Sequence, residues 1–177
     1  MGTRTTADGV GSAWALALRS LVLFVGTLSG AIAYLLSPLS RPFRTALENV
    51  LAETSGAFLR LFEPTVTVTG SLVSIRGFVA DIVPACTGIF TTSIFVAAVL
   101  AFPCSFRRKL YGTLLGVLGI LAFNWIRIVS LLAIGAYAPQ ALDVMHLVVW
   151  RSLAIFFALL LWLGWVRGVG ARHAAPA

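Results

Sequence analysis

Charge is what this chain has least of. Only 11% of its 177 residues are Asp, Glu, Lys or Arg, while 59% are hydrophobic and the mean hydropathy is +0.98. So few polar side chains cannot cover a soluble globule, which excludes a water-soluble fold. Acidic residues are the scarcer sign, six against thirteen basic ones, for a formal charge of +7. In a soluble protein that excess would suggest nucleic acid. Here no basic face with interleaved aromatics exists, and Lys/Arg flanking apolar runs is the positive-inside pattern of a membrane protein. Cysteine is scarce too. Cys86 and Cys104 form no Cys-x-x-Cys pair, which excludes a thiol oxidoreductase. No Gly-x-Ser-x-Gly-like site opens a helix, which argues against a rhomboid-type serine protease. No pair of His, Cys or carboxylates has metal-site spacing, so neither metal nor cofactor is expected. Internal repeats and low-complexity tracts are also missing, and the length suits one polytopic domain over 1–177.

What remains is a set of apolar runs. The first, about 14–36, holds Arg19 close enough to its start to snorkel to the interface. No small-residue cleavage site follows Leu36, so this run reads as a retained anchor. Ser40 to Phe62 is amphipathic, with Phe43, Leu47, Val50, Leu51, Phe58 and Leu61 near helical spacing. Such a segment is expected to lie on the membrane surface or cap the bundle. Pro64 to Gly77, alternating β-branched and polar residues broken at Gly70, reads as a short hairpin. Further spans are expected at about 84–102, 110–134 and 142–166, bounded by Pro84, Pro103 and Pro139. The expected fold class is therefore an all-α integral membrane protein: a bundle of about four transmembrane helices, with an extracytoplasmic segment (about 37–83) between the first and second.

Orientation follows from the basic residues. Arg107-Arg108-Lys109, the densest basic cluster, marks its loop as cytoplasmic, and Arg4, Arg167 and Arg172 then fall inside as well. Both termini are expected in the cytoplasm. Between 37 and 83, Arg41, Arg44, Arg60 and Arg76 balance Glu48, Glu53, Glu63 and Asp81, as suits an exported segment.

This topology brings three residues to one depth at the outer face. Cys86 opens the second span, Arg127 lies about 25 Å up a helix that starts inside, and His146 opens the fourth. Each alone has an ordinary explanation. Free cysteine is commonly a small buried hydrophobe, an interfacial histidine bonds a carbonyl, and Arg127 would pair with Asp81 or Asp143 to lock the bundle. Together they suggest a cysteine-based active site. Cys104, at the far end of the second span, reads as structural, and His173 in the tail as solvated. Phe156, Phe157, Trp162 and Trp165 read as lipid-facing bulk and an interfacial belt. Arg151, inside the fourth span, either lines the same pocket and meets a substrate carboxylate or stacks on an aromatic ring.

Pro84-Ala-Cys86-Thr-Gly-Ile, then Asn124-Trp-Ile-Arg127-Ile, then His146 opening the next helix, resemble the core of the exosortase/archaeosortase family. The resemblance covers about Asp81 to Trp165. The short chain is similar to the compact type exemplified by exosortase H, and Thr87 stands where the family more often has Ser. The resemblance implies a multi-pass enzyme of the bacterial inner membrane, with its active site facing the exterior. Its partners would be membrane lipid and exported proteins bearing a C-terminal transmembrane sorting signal of the PEP-CTERM kind. Cys86 would attack the peptide carbonyl and form a thioacyl intermediate. Arg127 would stabilise the thiolate or the developing oxyanion. His146 would protonate the leaving amine and then activate the incoming nucleophile. Asn124, one turn before Arg127, would orient the guanidinium or donate to substrate, and Thr87 supplies a hydroxyl. An amine acceptor gives transpeptidation and water gives proteolysis. Two other functions remain open: an aspartic protease like lipoprotein signal peptidase, using Asp81 and Asp143, or a non-enzymatic assembly protein.

Overall fold

The structure is a computed structural model that describes residues 4–171, with side chains from 14 to 168. Arg172 and His173 lie outside the described residues, as does the side chain of Arg4. Helix α1 (Arg4–Leu36) leads through a 3₁₀ turn, Pro38–Ser40, into α2 (Arg41–Arg60). The Ser40 hydroxyl fastens this corner by donating to the Leu35 and Ser37 carbonyls at 2.9 and 3.0 Å. Three short strands follow: β1 (Thr67–Thr69), β2 (Leu72–Ile75) and β3 (Phe78–Asp81). A turn at Pro84–Cys86 precedes α3 (Ile89–Ala101), and α4 (Phe106–Tyr137) packs against it. Finally α5 (Leu142–Val144) passes through a π-helical turn, Met145–Val149, into α6 (Trp150–Ala171).

Helix makes up 80% of the chain, so the all-α class holds. Among the described residues, three helical segments have the length and apolarity to cross a bilayer: Trp14–Leu36, Phe106–Tyr137 and Pro139–Gly168. The segment expected to span at 84–102 differs. Its helix has 13 residues, Ile89–Ala101, about 20 Å long against a hydrocarbon core of about 30 Å. Two residues shorten it. Gly88 is left-handed at φ +76°, which breaks the helix from Cys86. Pro103 holds Phe102 extended, which stops it at the other end.

The segment between α1 and α3 carries more structure than a hairpin. An antiparallel sheet in the order β1-β2-β3 pairs Val68 with Val73 and Ile75 with Phe78. Arg76 and Gly77, both at positive φ, form the second two-residue turn, as type I′ hairpins require. Asp81 thus closes a strand. Helix α2 buries Leu51, Ala52, Ser55, Gly56 and Leu59. Phe43 and Val50 of α2 stay exposed, while Leu51 and Leu59 pack with Val73 and Ile75 of the sheet. At the tip of the second hairpin, Glu63 accepts from Thr65 at 2.9 Å and Tyr137 at 3.3 Å, and pairs with Arg76 at 3.5 Å. The Thr65 bond first, with help from Tyr137 and Arg76, holds the Glu63 carboxyl below the usual glutamate range despite some opposing desolvation. It therefore stays anionic and clasps the sheet to the end of α4.

Helix α4 is the axis of the molecule. Gly112, Gly116, Ile120, Asn124, Ile128, Leu132 and Gly135 form one buried stripe along it. Its glycines let rings lie on the backbone: Trp165 on Gly112, Phe95 on Gly116 and Phe78 on Gly135. Small residues bring helices this close in membranes, where packing replaces the hydrophobic drive. Gly116→Val would place a Cβ inside the Phe95 ring and push α3 away. Overpacking of this kind costs about 1–3 kcal/mol. Thermal unfolding in detergent should show a lower Tm for Gly116→Val and an unchanged one for Gly164→Ala, whose Cβ would meet nothing within 4 Å.

Candidate active site

The turn before α3 presents Cys86. Pro84 starts it from an extended Val83, and the Thr87 hydroxyl donates to the Pro84 carbonyl at 2.8 Å. Thr87 is buried at 1% exposure, so that bond has no competing water. Asn124 of α4, also buried, donates from Nδ2 to the Cys86 carbonyl at 2.6 Å. Gly88 rests directly on Asn124: a Cβ there would stand 3.0 Å from the amide carbon. The backbone around the thiol is thus held from inside the turn by Thr87 and from the central helix by Asn124.

A cavity of about 130 Å³ lies beside this turn. Cys86, Arg127, His146 and Asp81 all line it, and the rest of its wall is mainly apolar, including Phe78 and Leu131. Arg127 reaches the cavity from one turn beyond Asn124 on α4. Its Nε is buried without a hydrogen-bond partner, an uncommon state for a guanidinium nitrogen. Cys86 and Arg127 are close enough to interact electrostatically. His146 is presented by the π-helical turn, a local widening that often accompanies functional positions. It interacts electrostatically with Arg127, Arg151 and Asp143.

The remaining candidates are placed differently. Arg151 is exposed and does not line the cavity, though its charge acts on both Arg127 and His146. Asp81 lines it and accepts from the Ser71 hydroxyl at 2.6 Å. Asp143 sits in the first turn of α5, outside the lining. Cys104 packs with Phe95, Val99 and Trp165, a cluster separate from the one that holds Cys86. Among the described residues no group of three or more His, Cys, Asp or Glu is arranged to hold a metal ion. Sequence reasoning missed Asn124's role as the anchor of the Cys86 backbone. The signal for it was a buried amide on the same helical stripe as the glycines.

No curated protein and no solved structure matches this chain. The family model described as transmembrane exosortase (Exosortase_EpsH) matches residues 2–165, nearly its whole length. A match of that extent takes in the cavity and every helix that builds it. The chain is a multi-pass membrane protein of the transmembrane exosortase family, membrane-embedded sorting transpeptidases that act on exported proteins carrying sorting signals.

Proposed function

We propose that this exosortase works through Cys86, cleaving a C-terminal sorting signal of the PEP-CTERM kind at the outer face of the bacterial inner membrane. The observation that carries the reading is the shared cavity. A thiol, an imidazole and a guanidinium with an unpartnered Nε line one small, mostly apolar space. The topology proposed with it has four passes and both termini in the cytoplasm. Helix α3 is short, but α1, α4 and α6 pack around it, and non-helical backbone at membrane depth is tolerated where protein covers it.

In this mechanism the Cys86 thiolate attacks the scissile carbonyl carbon, and the negative charge moves to the carbonyl oxygen. Arg127 donates to that oxygen, which supplies the partner its Nε lacks. His146, protonated, gives its proton to the departing amine as the C–N bond breaks, leaving a thioester on Cys86. An incoming amine or water then loses a proton to His146 and attacks the thioester carbon. The C–S bond breaks and the thiolate returns. Asn124 and Thr87 act as positioning residues, since both hold the backbone on either side of the thiol. Arg151 would meet a substrate carboxylate. The aspartic alternative needs two carboxylates at one site, whereas Asp143 lies outside the cavity that Asp81 lines.

The test is to trap the intermediate. Membranes processing a co-expressed substrate are quenched in acid, and the peptide containing Cys86 is analysed by mass spectrometry. The expected adduct is the substrate's new C-terminus in thioester linkage, present on Cys86, absent from Cys104 and removed by hydroxylamine. Active membranes in which Cys86 never carries the acyl group would defeat the reading.

A further inference from the structure

The sheet has an open edge, and that edge borders the Cys86 cavity. The strand order β1-β2-β3 leaves β3 paired on one side only. In an antiparallel ladder, residues that bond across the pair alternate with residues whose main chain points away. The Ile82 amide donates to the Ser71 carbonyl at 3.0 Å, which fixes the phase. Phe78, Ala80 and Ile82 therefore turn their N–H and C=O groups to β2, while Val79 and Asp81 turn theirs outward. Both of these residues are exposed, and among the described residues no hydrogen bond reaches either main chain from the outer side. The first and last helices meet α4 at its other end. There Arg19 and Gly168 line clefts with Lys109 and Arg107, whereas the Phe78 ring lies on Gly135, about 40 Å along the helix.

An edge of this kind is normally blunted by Pro, by Lys or by a covering element. Phe78-Val-Ala-Asp81 has neither residue, and what lies beside it is the cavity. Phe78, Ala80, Asp81 and Ile82 form one wall of that space, and Cys86 follows on the turn after β3. A chain laid along β3, about 4.8 Å from it, is thus carried to the thiol. The occupant follows from the family, whose members act on exported polypeptides. Extended peptides add to sheet edges by main-chain pairing, and pockets then select alternate side chains. Every second side chain of an added strand would share the face of Phe78 and Ala80, which is the cavity side.

We propose that the open edge of β3 binds the substrate as a fourth, extended strand, whose main chain pairs with Val79 and Asp81 and whose scissile peptide enters the Cys86 cavity. These contacts are main-chain ones, so Asp81→Asn leaves them intact. The inference rests on that cavity being the active site, but the pairing itself can be read without any chemistry.

The experiment uses the full chain with Cys86→Ala and Cys104→Ser, which removes both native thiols, and with Val79→Cys added. It is co-expressed with an exported substrate that carries one cysteine at a time through the stretch before its membrane anchor. Membranes are oxidised, and disulfide-linked product is counted on a non-reducing gel. Linkage should rise and fall with a period of two residues, because only alternate side chains of a paired strand face Val79. A period of three to four would mean a docked helix, and even or absent linkage would mean that the edge is unused. A second variant keeps Cys86 and carries Val79→Pro, which deletes the outward N–H without touching a bond to β2. Processing, normalised to the amount of enzyme, should fall about tenfold or more, while a small thiol reagent still labels Cys86. Undiminished processing by Val79→Pro, or any linkage pattern other than the two-residue one, overturns the proposal. Processing that survives Cys86→Ala would instead overturn the cysteine reading and leave the linkage pattern standing.

Discussion

Cys86→Ala should abolish processing of a co-expressed exported substrate, with a loss of about 10³-fold or more, as removal of a covalent nucleophile produces. Cys104→Ser should leave processing unchanged. The two thiols are matched controls: both are free and half-buried in the same chain. They differ in what surrounds them. Cys104 packs among rings in the cluster of Phe95, Val99 and Trp165, whereas Cys86 lines a cavity with Arg127 and His146. A role in packing alone predicts small and similar effects for both, seen in abundance rather than in turnover. Asp81→Asn and Asp143→Asn complete the comparison. The aspartic mechanism requires both to be inactive, and the cysteine mechanism leaves turnover with each largely intact. The readout is cleavage of an epitope-tagged substrate on a gel, normalised to the amount of enzyme in the membrane.

Replacement of Arg127 is expected to have the second largest effect. Arg127→Gln should lower turnover per molecule about 10²–10³-fold, the usual consequence of losing an oxyanion donor. Arg127→Lys keeps the charge but not the planar fork, and should recover only part of that loss. The competing account is structural, since an arginine within a membrane span commonly pins helices together. It predicts that the variants lose protein, not turnover per molecule. Pulse-chase decay of the enzyme, measured beside substrate cleavage, separates the two. The mechanism also predicts that Arg127→Gln slows the reaction of Cys86 with an anionic, membrane-impermeant thiol reagent, because the cation that lines the same cavity no longer attracts it. An unaltered labelling rate would remove Arg127 from the chemistry.

How much of this was legible in the sequence depends on which physical signal each part carries. The apolar runs of α1, α4 and α6 were readable because hydrocarbon thickness imposes a length on them. The assembly of Cys86, Arg127 and His146 in one cavity could be anticipated from alternating passes and charge-marked loops. What escaped were features set by single backbone angles or by close approach. The left-handed Gly88 separates Cys86 from α3 and shortens that helix to 13 residues, but nothing in a hydropathy profile distinguishes it from a helical glycine. The third strand was hidden because Phe78–Asp81 follows a turn built on Arg76, a residue that rarely takes positive φ. Close approach also shapes α2, where Gly56 brings the helix onto Val68 while Leu51 and Leu59 are buried and Phe43 and Val50 stay exposed. Arg151, read from the sequence as either lining the pocket or stacking on a ring, is exposed and outside the cavity lining, though its charge still acts on Arg127 and His146.

The cavity holds about 130 Å³, room for roughly four water molecules at liquid density. A helix with its side chains is about 10 Å across and cannot enter it. Under the proposed mechanism a substrate must therefore offer its scissile bond on an unwound stretch of chain, one or two side chains at a time. The energy needed to unravel the residues beside a membrane anchor becomes part of the barrier. Exported proteins would then be sorted partly by how readily that juxtamembrane stretch comes undone, and not only by the letters of its motif.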